Sequence, residues 1–304
     1  MKTIMITGAS GFIGKHLTKH YLEAGYLVYA VVREAESLKE FSGYKNLKIV
    51  IASFEDFDCI ADRCDAKDID IFYYLAWGGY GKATNDYVEQ SKNIKPVCDA
   101  VVAASVIGCR RFLFASSFSE YMIDEGEPLT HAAGAHCNVY GAAKTAARTL
   151  AHAVAAQKKI EFLSVAFANT FGVGDTSHRA TNIFVDRCLK GQDIDLTDGN
   201  YLYDWNYIDD TLEGLVAAGE RGKADSIYYI GNNYQMPLKD IVRGVRDILN
   251  PNVAVRLGTY KESFHLDYTS IDVNKLYNDT GYRAKCDFKE SILKTAEWVK
   301  SLKW

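Results

Sequence analysis

Short apolar runs alternate with longer amphipathic stretches over the first 170 residues of the chain. The short runs are rich in Ile, Val, Phe and Tyr, as buried strands are, whereas the longer stretches repeat apolar residues at helical spacing. Strands are therefore predicted at 3–7, 27–32, 47–51, 70–75, 111–116 and 160–167. Helices are predicted near 12–24, 84–107 and 139–158.

This alternation predicts an α/β fold with a doubly wound parallel sheet of the Rossmann type, covered on both faces by right-handed crossovers. We expect residues 1–170 to form a dinucleotide-binding domain, with about 225–231 returning to its sheet. A smaller α/β substrate-binding part is expected from the C-terminal segments 171–224 and 252–304. Only four prolines occur and no repeat or low-complexity stretch appears, so no linker divides the chain into independent halves.

A glycine-rich loop directly follows the first predicted strand. Glycines at this spacing let the backbone turn tightly and approach a pyrophosphate, and the free amides at the start of the next helix attract phosphate charge. An ordinary turn is the alternative, but the position between the first strand and helix favours dinucleotide binding. The predicted cofactor loop consists of Gly8, Ser10, Gly11, Phe12, Ile13 and Gly14.

The residue after the second predicted strand bears on the choice of cofactor. Arg33 stands where an NAD-preferring site carries a carboxylate for the adenosine ribose, and a guanidinium matches the geometry of a 2′-phosphate. The neighbouring Glu34 and Glu36 would repel that phosphate if they faced it. We therefore expect NADP(H) to be preferred, with NAD(H) as the alternative.

Tyr140 and Lys144 are four residues apart, so a helix places both side chains on one face. An ammonium group near the phenol would lower a pKa that is about 10 when unperturbed, and would make Tyr140 an acid/base group near neutrality. The same spacing often arises by chance on helix surfaces. The glycine loop and the pair Ser116–Ser117, which precede it in order, favour the catalytic interpretation.

Together these motifs resemble the extended short-chain dehydrogenase/reductase family of the NAD-dependent epimerase/dehydratase type, and within it the enzymes that act on nucleotide-linked sugars. The resemblance spans nearly all of the chain. It implies that Ser117 holds the reacting oxygen, that Tyr140 is the acid/base group, and that Lys144 poises the tyrosine and binds the nicotinamide ribose. It also rests on Leu75–Ala76 after the fourth strand, which are expected to contact the cofactor, and on Asn169 and Asp204–Trp205 later in the chain.

The resemblance gives a less complete account of the substrate site. Asn169 matches the family asparagine that contacts the sugar-nucleotide diphosphate, although an asparagine in a turn can also bond its own backbone. The arginine that normally precedes Asp204 is replaced by Tyr203, which puts the usual diphosphate clamp in doubt. The missing charge could come from Arg179, Arg187 or Lys261, of which Arg179 is kept as a candidate. Trp77 and Ser119 are further substrate-binding candidates, with burial in the core as the alternative for Trp77.

The residues after Ser117 narrow the choice of reactions. Family 4,6-dehydratases carry Asp-Glu where this chain has Phe118–Ser119, and enzymes resembling GDP-fucose synthase carry a cysteine at the position of Ser119. Two reactions remain: NADPH-dependent reduction of a 4-keto nucleotide-linked sugar, which Arg33 favours, and 4-epimerisation through a transient ketone on a retained NAD. A non-catalytic NADP-binding regulator is a third alternative, disfavoured by the Tyr140 and Lys144 pair.

Several other polar residues are candidates for chemistry. A second acid/base group, which would favour the epimerase, could come from His136, Cys137 or His178, but none stands at a matching family position. Asp209–Asp210 precede an amphipathic helix, so capping and helix-dipole interactions explain them better than metal binding. No metal site is expected.

Composition limits the partners. The chain of 304 residues is 48% hydrophobic and has a net charge of −4, which gives no basic face for nucleic acid, and it has no apolar run long enough to span a membrane. Seven cysteines without metal-ligand spacing indicate free thiols in a reducing cytoplasm. Helices 84–107 and 139–158 resemble the pair through which the family dimerises, so a homodimer is expected, with packing inside the chain as the alternative.

Overall fold

A computed structural model describes residues 2–81, 83–124, 138–232, 235–261 and 264–302 of the protein. Its central feature is a seven-stranded parallel sheet in the order β7-β6-β5-β4-β1-β2-β3. The strands are β1 (Thr3–Thr7), β2 (Leu27–Val32), β3 (Leu47–Ile51), β4 (Ile71–Tyr74), β5 (Arg111–Ser117), β6 (Glu161–Phe167) and β7 (Ile227–Ile230). The predicted doubly wound parallel sheet is confirmed.

Nine α-helices and four 3₁₀ helices lie within the described ranges. The α-helices are α1 (Phe12–Glu23), α2 (Tyr87–Ser91), α3 (Ile94–Ile107), α4 (Val139–Lys158), α5 (Ala180–Lys190), α6 (Ile208–Arg221), α7 (Leu238–Leu249), α8 (Lys275–Thr280) and α9 (Phe288–Ser301). The 3₁₀ helices are Ala35–Phe41, Phe54–Arg63, Phe118–Tyr121 and Tyr268–Ser270.

The predicted helix 84–107 is two helices, α2 and α3, separated at Lys92 and Asn93. Pro96 has no amide hydrogen, and its ring would clash with the carbonyl of Lys92 in a continuous helix. The Asn93 side chain instead accepts a hydrogen bond from the amide of Gly78 at 2.7 Å. The interruption therefore ties this segment to the loop that follows β4.

Four small two-stranded sheets lie outside the main sheet. Two are parallel and two antiparallel. The parallel pairs are Asn169–Phe171 with Trp205–Tyr207 and Ile194–Asp195 with Val255–Arg256; the antiparallel pairs are Leu202–Tyr203 with Met236–Pro237 and Met122–Asp124 with Phe264–Leu266.

Apolar side chains on the two faces of the main sheet form separate cores. Helices α3 and α4 cover one face, where Val101 and Ala151 are fully buried, and α1 and α6 cover the other, with Leu17 and Leu215 fully buried. A third core joins α5, α7 and α9. Helix α6 thus packs on the sheet although it belongs to segment 171–224, and α7 lies outside both predicted segments; the domain division stays a prediction.

Candidate active site

The glycine loop is pressed against the chain that leaves β4. Gly8 has φ +67°, a left-handed conformation that side chains rarely adopt, and a Cβ atom on it would lie 2.9 Å from the amide nitrogen of Ala76. A Cβ atom on Gly14 would lie 2.0 Å from the carbonyl oxygen of Gly8. Only glycine allows the loop and α1 to approach this closely.

Helix α1 begins in this loop, and the tight turn sets the direction of its N-terminal amides. Its N-cap is Gly11, which provides no side-chain hydrogen bond to the helix, and the amide of Gly11 itself donates to Gly8 O at 3.0 Å. Helix N-termini without such a cap attract anions through their free amides and the helix dipole. This cradle of backbone fits the pyrophosphate of a dinucleotide.

A cleft of about 990 Å³ opens where β1, β4, β5 and β6 end. Ligands of doubly wound folds bind at this edge of the sheet. The sequence-predicted site residues that line the cleft are Gly8, Ser10, Gly11, Phe12, Ile13, Gly14, Leu75, Trp77, Ser117, Tyr140, Lys144 and Arg179. The cofactor loop and the three expected catalytic residues are thus brought together.

The start of α4 is held against the end of β5. Gly141 packs on the 3₁₀ turn Phe118–Tyr121, where a Cβ atom would lie 2.2 Å from the carbonyl oxygen of Ser119. The side chain of Asn138 caps the helix by accepting a hydrogen bond from the Gly141 amide at 2.6 Å. This contact places Tyr140 beside Ser117, the last residue of β5.

Tyr140 is only 7% exposed. Burial raises the pKa of its phenol, Tyr80 raises it further, and a hydrogen bond with Ser117 acts in the opposite direction. The ring of Tyr80 stands nearly perpendicular to that of Tyr140, with centroids 5.3 Å apart. The pKa is thus raised, whereas the sequence led us to expect it to be lowered, because desolvation of the phenolate outweighs the stabilising contacts.

Lys144 is 3% exposed and lies one turn further along α4. Its ammonium donates a hydrogen bond to Ala115 O at 2.7 Å, and its nitrogen is 3.8 Å from the ring centroid of Trp77. Burial lowers the pKa of Lys144 to about 7, and the Glu120 carboxylate opposes this shift. The charged and neutral forms of Lys144 are therefore close in energy at neutral pH.

Comparison with known proteins now identifies the family. The model of the NAD dependent epimerase/dehydratase family matches residues 4–231, well over half of the chain. The chain belongs to this family. Curated relatives at low identity include the dTDP-glucose 4,6-dehydratase of Actinoplanes sp., 24% identical over 98% of this chain and 98% of that protein. UDP-glucuronate 4-epimerase 4 of Arabidopsis thaliana is 22% identical over 98% of this chain and 75% of its own length.

Solved structures of epimerases and dehydratases share the fold. The UDP-glucuronic acid 4-epimerase of Bacillus cereus, in complex with UDP-glucuronic acid and NAD, has a TM-score of 0.80 at 20% identity, covering 99% of this chain and 100% of that one. The dTDP-glucose 4,6-dehydratase DesIV of Streptomyces venezuelae has the same TM-score at 20% identity, covering 98% and 97%. The predicted family is confirmed. The prediction that the chain is an NAD(P)-dependent oxidoreductase or epimerase is also confirmed.

Several residues that the family resemblance singled out do not line the cleft. Arg33 is exposed at the end of β2, and the side chain of Asn169 donates to Thr181 at 3.0 Å. Ser119 is buried, and its amide donates to Ser117 Oγ at 3.1 Å, so it orients the serine through its backbone. Ala76 is also not among the described residues that line the cleft, and its backbone packs against Gly8.

Arg179 does lie in the cleft of this epimerase/dehydratase family member, but its charge is balanced. Its guanidinium forms an ion pair with the buried Asp175 at 2.9 Å and donates to Ser177 Oγ at 2.9 Å and Thr170 O at 3.2 Å. It also lies 6.0 Å from the ring centroid of Tyr80. Arg179 therefore fixes the loop before α5 as well as facing the cleft.

The other candidate cations are placed elsewhere. Arg187 donates to Asp193 O at 2.7 Å and Lys261 is exposed, and neither lines the cleft. Tyr203 lies in a short strand opposite Met236. His136 and Cys137 lie outside the described residues, and His178 is not among the residues that line the cleft.

The remaining acidic motifs have structural partners. Asp204 accepts hydrogen bonds from Tyr229 at 3.0 Å and from the Asn232 amide, and burial raises its pKa to about 6. Asp210 accepts from the amides of Lys285 and Cys286. Within the described ranges no cluster of His, Cys, Asp or Glu could hold a metal ion, and no helix is both long and apolar enough to cross a membrane.

Sequence reasoning missed Asp175, Gln90 and Glu120 as parts of the site. Glu120 is buried, bonds Ser116 and forms an ion pair with Arg148 at 2.8 Å. A charged residue three positions after a buried strand was the available signal for Glu120. Asp175 pairs with Arg179 four residues later, and Gln90 bonds the loop that directly precedes its own helix. Neither residue belongs to a motif that indicates these contacts.

Proposed function

We propose that this chain catalyses hydride transfer at C4 of a nucleotide-linked sugar, with Tyr140 as the acid/base group. The observation that carries the proposal is the convergence of Ser117, Tyr140 and Lys144 at the cleft beside the glycine cradle. A bound nicotinamide dinucleotide would supply the hydride. The cradle of Gly8 and Gly14 and the start of α1 would hold its pyrophosphate.

The chain's own residues handle the proton. The phenol of Tyr140 donates its proton to the carbonyl oxygen as negative charge develops there, and Ser117 Oγ holds that oxygen by a hydrogen bond. The ammonium of Lys144, when charged, stabilises the phenolate that remains. The nearly buried setting keeps water away from these groups, which strengthens each interaction.

The direction that we propose is net reduction of a 4-keto sugar with NADPH. The raised pKa of Tyr140 keeps the phenol protonated near neutral pH, which suits a group whose first task is to donate a proton to a ketone. The exposed Arg33 at the end of β2 is available for a 2′-phosphate, and this supports NADP(H) as the preferred cofactor.

A second candidate is 4-epimerisation through a transient ketone on a retained NAD. Relatives and structural neighbours named as UDP-glucuronate 4-epimerases favour it, and one of them is in complex with NAD. The same three side chains would serve, because epimerisation needs one acid/base group that first removes and then returns a proton. The nucleotide sugar as substrate class is common to both candidates.

We also propose a homodimer that forms through the outer faces of α3 and α4. Val102, Val106 and Leu150 present exposed apolar side chains there, and Val106 is 73% exposed. Burial of these side chains against a second copy of the chain would stabilise an interface. The measurement is the molar mass in solution for the wild type and for Val106→Glu.

The proposed reaction is tested by identifying the dinucleotide in the purified protein by mass spectrometry and then measuring NADPH oxidation. The substrates are 4-keto nucleotide sugars made in situ by a 4,6-dehydratase. We expect NADPH to be consumed, and Tyr140→Phe to lower the rate about 10²–10⁴-fold because the proton donor is lost. Tyr87→Phe, at an exposed position on α2, is the matched control and should retain activity.

Retained NAD with interconversion of C4 epimers and no net oxidation would replace the reductase with the epimerase. Tight NADPH binding without turnover of any ketone would support the non-catalytic regulator instead. Full activity of Tyr140→Phe would contradict the role of the phenol in either reaction.

A further inference from the structure

The ammonium of Lys144 lies against the face of an indole. Its nitrogen is 3.8 Å from the ring centroid of Trp77 and 5.0 Å from that of Phe114. Cations within about 6 Å of an aromatic face are attracted by the ring quadrupole, most strongly by Trp, and more so when water is excluded. The carbonyl oxygen of Ala115, at 2.7 Å, is the hydrogen-bond acceptor on the same ammonium.

Trp77 is held in this orientation by Gln90. The indole Nε1 donates to Gln90 Oε1 at 2.9 Å, and Gln90 Nε2 donates to Gly79 O at 2.8 Å and Ala83 O at 2.9 Å. Gln90 is fully buried, and both ends of its amide are therefore bonded. Gly79 has φ +73°, and a Cβ atom there would lie 2.9 Å from Gln90 Nε2, so the loop depends on glycine at this point.

Burial penalises the charged form of this lysine. The pKa of Lys144 falls to about 7, so at neutral pH the ammonium needs nearby groups that favour charge. The charged or titratable groups that face it are Glu120, from the turn after β5, and Tyr140, from its own helix. The charge of Glu120 is shared with Arg148 at 2.8 Å, and Tyr80 packs on the far side of Tyr140.

We propose that Trp77, oriented by Gln90, is a positioning residue that stabilises the charged form of Lys144 through a cation–π contact. The contribution of this contact to catalysis rests on the proposed function, whereas the contact itself does not. In this proposal Trp77 stabilises a charge as well as lining the cleft, and Gln90, which does not touch the reacting groups, fixes the orientation of the indole. Without the indole, the ammonium would be neutral over more of the physiological pH range.

The test is an NMR titration of Lys144 in the full-length protein labelled with ¹³C at lysine Cε, the signal being assigned by its loss in Lys144→Arg. The variants are Trp77→Leu, which removes the aromatic face, Trp77→Phe, which keeps a weaker one, and Gln90→Met, which releases the indole. We expect the pKa of Lys144 to fall by about one unit or more in Trp77→Leu and by less in Trp77→Phe. Tyr87→Leu, at an exposed aromatic position on α2, is the control and should leave it unchanged.

An unchanged or higher Lys144 pKa in Trp77→Leu would overturn the proposal. If that variant does not fold, Gln90→Met and Trp77→Phe decide it: a lower pKa in both supports the contact, and a wild-type value in both overturns it. The titration needs no turnover, so a failed reductase and epimerase assay would refute the proposed function and leave this result standing.

Activity gives a second readout when turnover is found. If the charged lysine is required, the rate falls as the pH rises through the Lys144 pKa, and Trp77→Leu moves this limb of the pH profile to lower pH by the shift seen in the titration. Trp77→Phe should restore part of the shift. A uniform loss of kcat with an unmoved limb would mean that Trp77 only supports the fold, and would overturn the proposal.

Discussion

The glycine cradle is tested most directly by Gly14→Ala. The added methyl group would lie 2.0 Å from the carbonyl oxygen of Gly8 and 2.9 Å from its carbonyl carbon. Non-bonded heavy atoms are stable at roughly 3.5–4.0 Å, so the loop and α1 must separate by more than about 1 Å. Both obstructing atoms are backbone, and no side chain can rotate away to relieve the contact.

The cost follows from that displacement. Overpacking of one methyl group in a rigid contact typically costs about 1–3 kcal/mol of folding free energy. The same movement displaces the N-terminal amides of α1 from their positions around Gly8, and a loss of about 1.4–3 kcal/mol in binding is a 10- to 100-fold weaker affinity for the dinucleotide. We expect both effects in this variant.

Isothermal titration calorimetry with NADPH and with NAD measures the affinity, and urea denaturation measures the free energy of unfolding. Gly43→Ala is the matched control, because a Cβ atom there meets nothing within 4 Å, and it should behave as the wild type in both measurements. Wild-type affinity in Gly14→Ala would refute the assignment of this loop to the pyrophosphate. A loss of stability without a loss of affinity would refute it as well.

Three further predictions concern buried polar groups. Lys144→Met should raise the free energy of unfolding by a few kcal/mol at or below pH 7. The pKa of Lys144 is about 7 in the folded protein and roughly 10.4 in the unfolded chain, so below pH 7 the buried charged lysine opposes folding. Urea denaturation should show that the difference between variant and wild type shrinks towards pH 10. Asp204→Asn should stabilise the protein by up to about 2–3 kcal/mol above pH 6, because the folded pKa of about 6 exceeds the unfolded value of roughly 3.9. This gain should vanish below about pH 3, and equal stability of the two proteins at pH 8 would contradict the prediction. Ser117→Ala should lower the rate of hydride transfer about 10²-fold, measured in single turnovers, and an unchanged rate would remove this serine from the mechanism.

Much of the fold could be predicted because its determinants are local. Apart from the edge strand β3, the strands of the main sheet are mostly buried on both faces and so read as continuous apolar runs. The loop Gly8 to Gly14 follows the first of them directly. Tyr140 and Lys144 were found for the same reason, since four residues along a helix fix a common face. The family match then confirmed the family that these signals had indicated, whereas the catalytic roles of Tyr140 and Lys144 stay predictions.

What could not be predicted depends on contacts between distant parts of the chain. The interruption before α3 is stabilised by Asn93, whose partner Gly78 is 15 residues away. The pKa of Tyr140 is raised because tertiary packing buries it, and no spacing of residues reveals the extent of that burial. The side-chain amide of Asn169 donates to Thr181, a contact that no local pattern indicated, and its contact with substrate stays a prediction.

The charge balance of the cleft bears on how a nucleotide sugar would bind. Of the lysines and arginines that line it in the described part of the chain, Lys15 is paired with Glu40 at 3.0 Å, Lys19 with Glu23 at 3.8 Å and Arg179 with Asp175 at 2.9 Å. Lys144 is buried beside Tyr140. Drawing Arg179 to a diphosphate would leave the buried Asp175 carboxylate uncompensated, which is costly, whereas the ion pairs of Lys15 and Lys19 are more exposed and cost less to separate. Hydrogen bonds from backbone amides and hydroxyl groups, together with packing of the sugar on Tyr80, offer a route to affinity that leaves this ion pair intact.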